Sequence, residues 1–175
     1  NGRHDDVTVV GVYSDEEAPC QKLHDEFGVY VMKSFDELVG QVDGIMVTAR
    51  HGDNHYKYAK PYLASGIPMF IDKPITCDGA EAVEFMREAK KYGVRLCGGS
   101  SCKYLPGVTE LAKQVKEGTF GVVRGGNVCA PLAMTSPYGG FYFYAQHLVE
   151  MVCEIFGRFP LSVTAKENGK QIHVL

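Results

Sequence analysis

The sequence shows no strong charge excess, no long apolar run and no paired cysteine spacing, and each absence closes off a class of protein. Its 18 basic and 21 acidic residues leave a formal charge of −3, so a broadly basic nucleic-acid surface is not expected. No apolar run approaches the ~20 residues needed to cross a bilayer, so no membrane partner is expected. The opening Asn-Gly-Arg-His-Asp-Asp lacks a signal-peptide pattern. The six cysteines, Cys20, Cys77, Cys97, Cys102, Cys129 and Cys153, include no Cys-x-x-Cys pair. They read as reduced thiols in the apolar core of a cytoplasmic protein. Cys97 and Cys102 with a distant histidine lack the spacing of a structural zinc site. No internal repeat or low-complexity tract occurs. What is present is 175 residues, 45% hydrophobic and 22% charged, enough to pack a core.

The order of apolar runs, caps and breakers reads as alternating strands and helices. Residues 7–13 form a β-branched run; a helix over 16–27 is stopped by Gly28, and 29–32 is a short strand. Ser34 and Glu37 have the spacing of a capping box for a short helix. A strand over 44–49 leads to a helix capped by Asn54 and running to about residue 65, which Pro61 should bend or end early. Residues 68–72 are the next strand, and 78–92 an amphipathic helix with Ala82, Phe85, Met86 and Ala89 on one face. A strand over 94–97 follows. These spacings predict βαβ units with right-handed crossovers in a parallel sheet.

Past residue 100 the rhythm changes. A helix over 106–117 ends at Gly118, followed by a strand over 122–129, a loop over 130–140 and a helix over 142–156. Residues 161–174 read as a hairpin turning at Glu167-Asn168-Gly169. The expected organisation is one domain over 1–100 and part of a second over 101–175. Because both ends read as strands, the chain is expected to be a portion of a longer protein.

Three segments have residues suited to chemistry. Asp72-Lys73-Pro74 lies at the carboxyl end of a parallel strand, the edge where ligands bind in open α/β sheets. A lysine there can donate to a substrate oxygen, although the same tripeptide fits a plain surface turn. Phe143, His147 and Glu150 share a helix face, and an imidazole suits proton transfer near neutrality. The same pattern fits a core histidine satisfied by Glu150. Thr48-Ala49-Arg50-His51-Gly52-Asp53-Asn54-His55 leaves a strand end and enters a helix. Its two histidines raise a metal site, but chain spacing supplies no matching acidic or cysteine cluster, so no metal is expected.

In this order, the segments resemble the Gfo/Idh/MocA oxidoreductases, named for glucose–fructose oxidoreductase and inositol dehydrogenase. The resemblance runs from Val7 to about Ala165, and its sharpest marks are the Lys73-Pro74 turn and the downstream His147. It implies an α/β fold: a Rossmann-like parallel sheet, lacking its first strand and glycine loop, followed by part of an α+β open-sheet domain. It implies hydride transfer between NAD(P) and a carbinol carbon of a sugar, polyol or related small molecule. Lys73 would contact nicotinamide and substrate, and His147 would be a proton-transfer partner. The cofactor would be held by Ser14, Asp15, Ala49, Arg50, His55, Asp72, Lys73 and Pro74. Homo-oligomerisation through the second domain's sheet is also implied.

Four departures stand beside the resemblance. The Gly-x-Gly-x-x-Gly turn that cradles a pyrophosphate is missing, so these 175 residues alone are expected to be inactive. The family's catalytic Asp, one turn before the histidine, is Phe143 here. Glu150, Tyr142 and Tyr144 are alternatives for that relay, and no spacing selects among them. The Glu before Lys-Pro is Asp72, and an arginine ahead of a downstream Pro corresponds to Lys103, which with Tyr142 and Tyr144 would face substrate. Ser14 with Asp15, Glu16 and Glu17, and no Lys or Arg beside them, favours NAD and leaves NADP open. Two other readings remain: a glycosidase of the same family that uses NAD transiently, and a non-catalytic ligand-binding or scaffold member.

Overall fold

The computed structural model describes residues 6–169 and 171–175. Contacts divide the chain into two units, Asn1–Gly99 with Ala133–Phe143, and Ser100–Leu132 with Tyr144–Leu175.

The first unit is built from parallel strands and helices. Strands β1 (Gly11–Val12) and β2 (Tyr30–Val31) pair in parallel. A separate parallel sheet runs in the order β3 (Ile45–Val47), β4 (Met69–Ile71), β5 (Leu96–Gly98), with Ile45 opposite Met69 and Ile71 opposite Gly98. Helix α1 (Glu17–Phe27) connects β1 to β2, and Gly28 ends it in the left-handed conformation at φ 71°. Helix α2 (Asp53–Ala59) follows β3 and passes into a 3-10 helix over Lys60–Ser65 with Pro61 in its first turn. Helix α3 (Gly79–Lys91) follows β4, and the Asp78 side chain caps it by accepting from the Glu81 amide. The core lies between β3–β4 and these helices and contains Val47, Tyr56, Leu63, Met69, Ile71, Phe85 and Ala89. Phe85 is fully buried and stacks on Tyr56 at 4.8 Å; truncation to alanine there should cost about 3–5 kcal/mol.

In the second unit, helix α4 (Pro106–Glu117) ends at Gly118 with φ 72°. Helix α5 (Tyr142–Phe156) begins with two residues of the first unit and continues through the second. Strands β6 (Ala165–Asn168) and β7 (Gln171–Val174) form an antiparallel hairpin.

Several expectations are corrected. Of residues 7–13 only Gly11–Val12 is strand, because no described strand lines β1's second edge; Val7, Val9 and Val10 are more than half exposed. The Ser34–Glu37 box does not start a helix. Glu37 instead accepts from the Lys33 amide and the Tyr30 hydroxyl and stabilises a run of turns. Helix α2 is preceded by Gly52 without a side-chain cap, and Asn54 lies inside it. Met86 is 50% exposed, so the buried face of α3 is narrower than its periodicity suggested. Residues 122–129 form no strand; Val122 lies open to solvent without a partner strand. Asn168 pairs with Gln171, which moves the hairpin turn one residue onward. All six cysteines are free, but only Cys20 is buried, while Cys97 lies exposed on the edge strand β5 and Cys129 in an exposed segment.

Candidate functional site

The carboxyl ends of β3 and β4 place three predicted residues together in the first unit. The Asp72 amide donates to the Val47 carbonyl at 2.9 Å, which continues the sheet to the residue before Lys73. The Lys73–Pro74 peptide is cis. Lys73 Nζ donates to the Phe143 carbonyl at 3.1 Å and lies 4.2 Å from the centre of that ring. Lys73 makes no ion pair with a carboxylate among the described residues. A carbonyl and an aromatic face attract a cation without neutralising it, so its full charge remains for a ligand.

The loop after β3 is tied to this turn by His55. The ring is fully buried, with Nδ1 2.5 Å from the Pro74 carbonyl and Nε2 2.7 Å from the Ala49 carbonyl. It bridges two backbone segments rather than facing solvent. Arg50 is exposed; its guanidinium donates to the Tyr138 hydroxyl at 3.2 Å and stacks on that ring at 4.8 Å. Gly98 completes the local geometry. A Cβ there would lie 1.8 Å from the Ile71 carbonyl oxygen, and its φ is +138°, so only glycine fits beside the end of β4. Beside the same loop, His51, Asp53 and Cys77 converge, a grouping that spacing along the chain did not reveal. Burial pushes the Cys77 thiol up, and the Asp53 charge and hydrogen bond add to that effect.

His147 anchors a second cluster, inside the second unit. Its Nδ1 lies 2.6 Å from Ser100 Oγ and 3.6 Å from Cys102 Sγ, with the Tyr144 ring 5.9 Å away. Ser100 is almost fully buried, and its Oγ accepts from the Cys102 amide at 3.0 Å. Glu150 organises the surroundings. It accepts from the Ser100 amide at 2.9 Å, Gln146 at 2.8 Å and Lys103 Nζ at 2.7 Å. Burial pushes the Glu150 carboxyl up, but those three donors outweigh it and hold the group below its ordinary value. Burial lowers Lys103, and the Glu150 hydrogen bond and charge more than restore it, leaving the ammonium above its usual value. Lys103 is thus committed to an internal ion pair. Tyr142, in the first unit, and Tyr144 are both partly exposed, and Tyr142 packs edge-on against Phe141.

At the end of β1, Ser14 and Asp15 border a cleft of about 430 Å³ that Val31 and Lys33 also line. Ser14 Oγ accepts from the Glu16 amide at 3.1 Å. Hydrogen bonds from Tyr58 and Tyr13, with Lys57 nearby, hold the Asp15 carboxyl below its usual range. An ionised carboxylate at a parallel strand end fits the paired hydroxyls of a ribose. The absence of nearby cations is corrected: Lys57 Nζ stands 3.6 Å from Asp15, and Lys33 shares the cleft. Both are distant in sequence, and the fold brings them in.

Ser100 went unnoticed in the sequence. A serine between a strand end and a helix looks like an ordinary cap, and its bond to His147 spans 47 positions. Cys77 had no signal for the same reason.

Comparison with known proteins gives this geometry a context. The Gfo/Idh/MocA family, described as an oxidoreductase family with an NAD-binding Rossmann fold, matches residues 1–100. The chain is 24% identical over 165 residues to the uncharacterized oxidoreductase YhhX of Escherichia coli, covering 89% of this chain and 48% of that protein. It is 25% identical over 177 residues to the 2,7-anhydro-N-acetylneuraminate hydratase of Escherichia coli, covering 92% and 46%. The chain thus spans about half the length of the curated relatives it matches. The fold is similar to that of myo-inositol 2-dehydrogenase from Lactobacillus plantarum, with a TM-score of 0.72, 16% identity, and coverage of 92% of this chain and 52% of that one.

Proposed function

The chain belongs to the Gfo/Idh/MocA oxidoreductase family, and on that premise we propose that it serves an NAD-dependent dehydrogenase of a sugar, polyol or related carbinol. The observation that carries this reading is Lys73, a cation without a carboxylate partner among the described residues, at the carboxyl end of β4. The nicotinamide ring, when bound, supplies the hydride acceptor. Lys73 donates a charged hydrogen bond to the substrate oxygen and favours its partial negative charge as the hydroxyl ionises. His147 accepts the hydroxyl proton, and Ser100 holds its Nδ1 so that the ring keeps one orientation. Asp15 accepts from the ribose hydroxyls. His55 contributes by holding the Ala49 and Pro74 carbonyls in place, while Arg50 and Asp72 flank the nicotinamide side. Lys103, Tyr142 and Tyr144 contribute toward substrate, Lys103 through Glu150.

Fluorescence titration of the full-length protein with NADH and NADPH, followed by a screen of sugars and inositols for nicotinamide reduction, tests the proposal. NADH binding with polyol-dependent reduction is expected. Failure of both cofactors to bind the full-length protein would remove the dehydrogenase reading. One relative, named a hydratase of an anhydro sugar, favours a second reading. In that case the protein would hold NAD and convert substrate without net NADH.

A further inference from the structure

We propose that His51, Asp53 and Cys77 form a binding site for a single zinc ion or a similar borderline-soft divalent cation. One ligand atom from each residue lies within 4.8 Å of the others, and His51 Nδ1 is 3.7 Å from Asp53 Oδ2. Zinc bonds of ~2.0–2.3 Å at tetrahedral angles place such atoms about 3.4–3.6 Å apart. Closing the remainder requires side-chain rotation: Asp53 is exposed and His51 half-buried. Two backbone segments leave the thiol room. A Cβ at Gly52 would lie 2.8 Å from Cys77 Sγ, and one at Gly139 would lie 2.5 Å from it. Glycine at both positions keeps the sulfur uncovered, and Gly139 has a φ of +104° that disfavours any side chain.

The donor set decides the metal class. One thiolate, one carboxylate and one neutral imidazole carry two negative charges, which balance a divalent ion. Sulfur and nitrogen donors favour zinc or cobalt over magnesium or calcium. On binding, the Cys77 thiol loses its proton to solvent as the sulfur–metal bond forms, and its hydrogen bond to Asp53 is replaced by a shared ion. Water completes the fourth position on the exposed side.

Cobalt(II) titration of the reduced protein reads the site directly. A thiolate-to-cobalt charge-transfer band should saturate at one equivalent, and zinc should displace it. Cys77→Ser should abolish the band, and His51→Gln and Asp53→Asn should each weaken cobalt binding at least about 10-fold. Absence of the band in the parent protein, or its persistence in Cys77→Ser, would overturn the site. Should Cys77→Ser lose its circular-dichroism signature of folding, His51→Gln decides: unchanged cobalt affinity there also overturns it.

Discussion

Lys73 follows strand β4 in the first unit and Lys103 lies in a 3-10 helix over Ser101–Tyr104 in the second, and their charges are handled in opposite ways. Lys103 is paired with Glu150 at 2.7 Å, and both side chains are largely shielded from solvent. Lys73 meets the Phe143 carbonyl and ring and pairs with no carboxylate among the described residues. A shielded ion pair satisfies its own members and leaves little field for a third group. A lysine held by neutral groups keeps its attraction for an anion or a developing oxyanion. The difference separates a lysine that maintains a local framework from one that can act on a ligand.

The largest expected effect comes from breaking the Lys73 side of this contrast. In the full-length protein Lys73→Ala should lower turnover by roughly 10²-fold or more, while denaturant unfolding shifts by only about 1 kcal/mol, from the lost hydrogen bond and ring contact. The reverse pattern belongs to Glu150. Glu150→Ala strands three donors, the Lys103 ammonium among them, and should cost on the order of 2 kcal/mol in urea unfolding. Lys103→Met in the same background should add much less than it does alone, because the partner is already gone. A smaller effect follows from pH. Glu150 is held below its ordinary value of 4.5, so its stabilisation is complete above that value and is lost as pH falls through the lower folded value. Unfolding followed from neutral to acid pH should therefore show a shallower acid loss in Glu150→Gln than in the parent. Smallest is Phe143→Leu, which keeps the carbonyl but removes the ring. Loss of one cation–π contact, about 0.5–1 kcal/mol at a partly exposed site, should change substrate KM a few-fold and leave Lys73 in use.

The sequence made the alternation of elements legible wherever local chemistry decides structure. Gly28 and Gly118 end their helices as their positions implied, and Pro61 converts α2 into a tighter helix. It misled where structure depends on a neighbour. Residues 7–10 and 122–129 have strand composition but no described partner, so they stay irregular. The site divides the same way. Lys73 and His147 were visible through the motifs around them. Ser100, Cys77 and the cations beside Asp15 were not, because their meetings are made by tertiary folding and have no sequence period. Lys103 was visible for its charge but not for its partner.

Gly98 has a consequence for how this chain can vary. The 1.8 Å approach of a Cβ to the Ile71 carbonyl is a backbone collision that no neighbouring rotamer can relieve. Even alanine is barred. In a library with all twenty amino acids at that codon, selection for folded protein should return glycine alone, whereas position 97, immediately before it and exposed, should accept many residues. Two adjacent codons would then differ sharply in tolerance, and the constrained one is the neighbour of the strand end that bears Lys73.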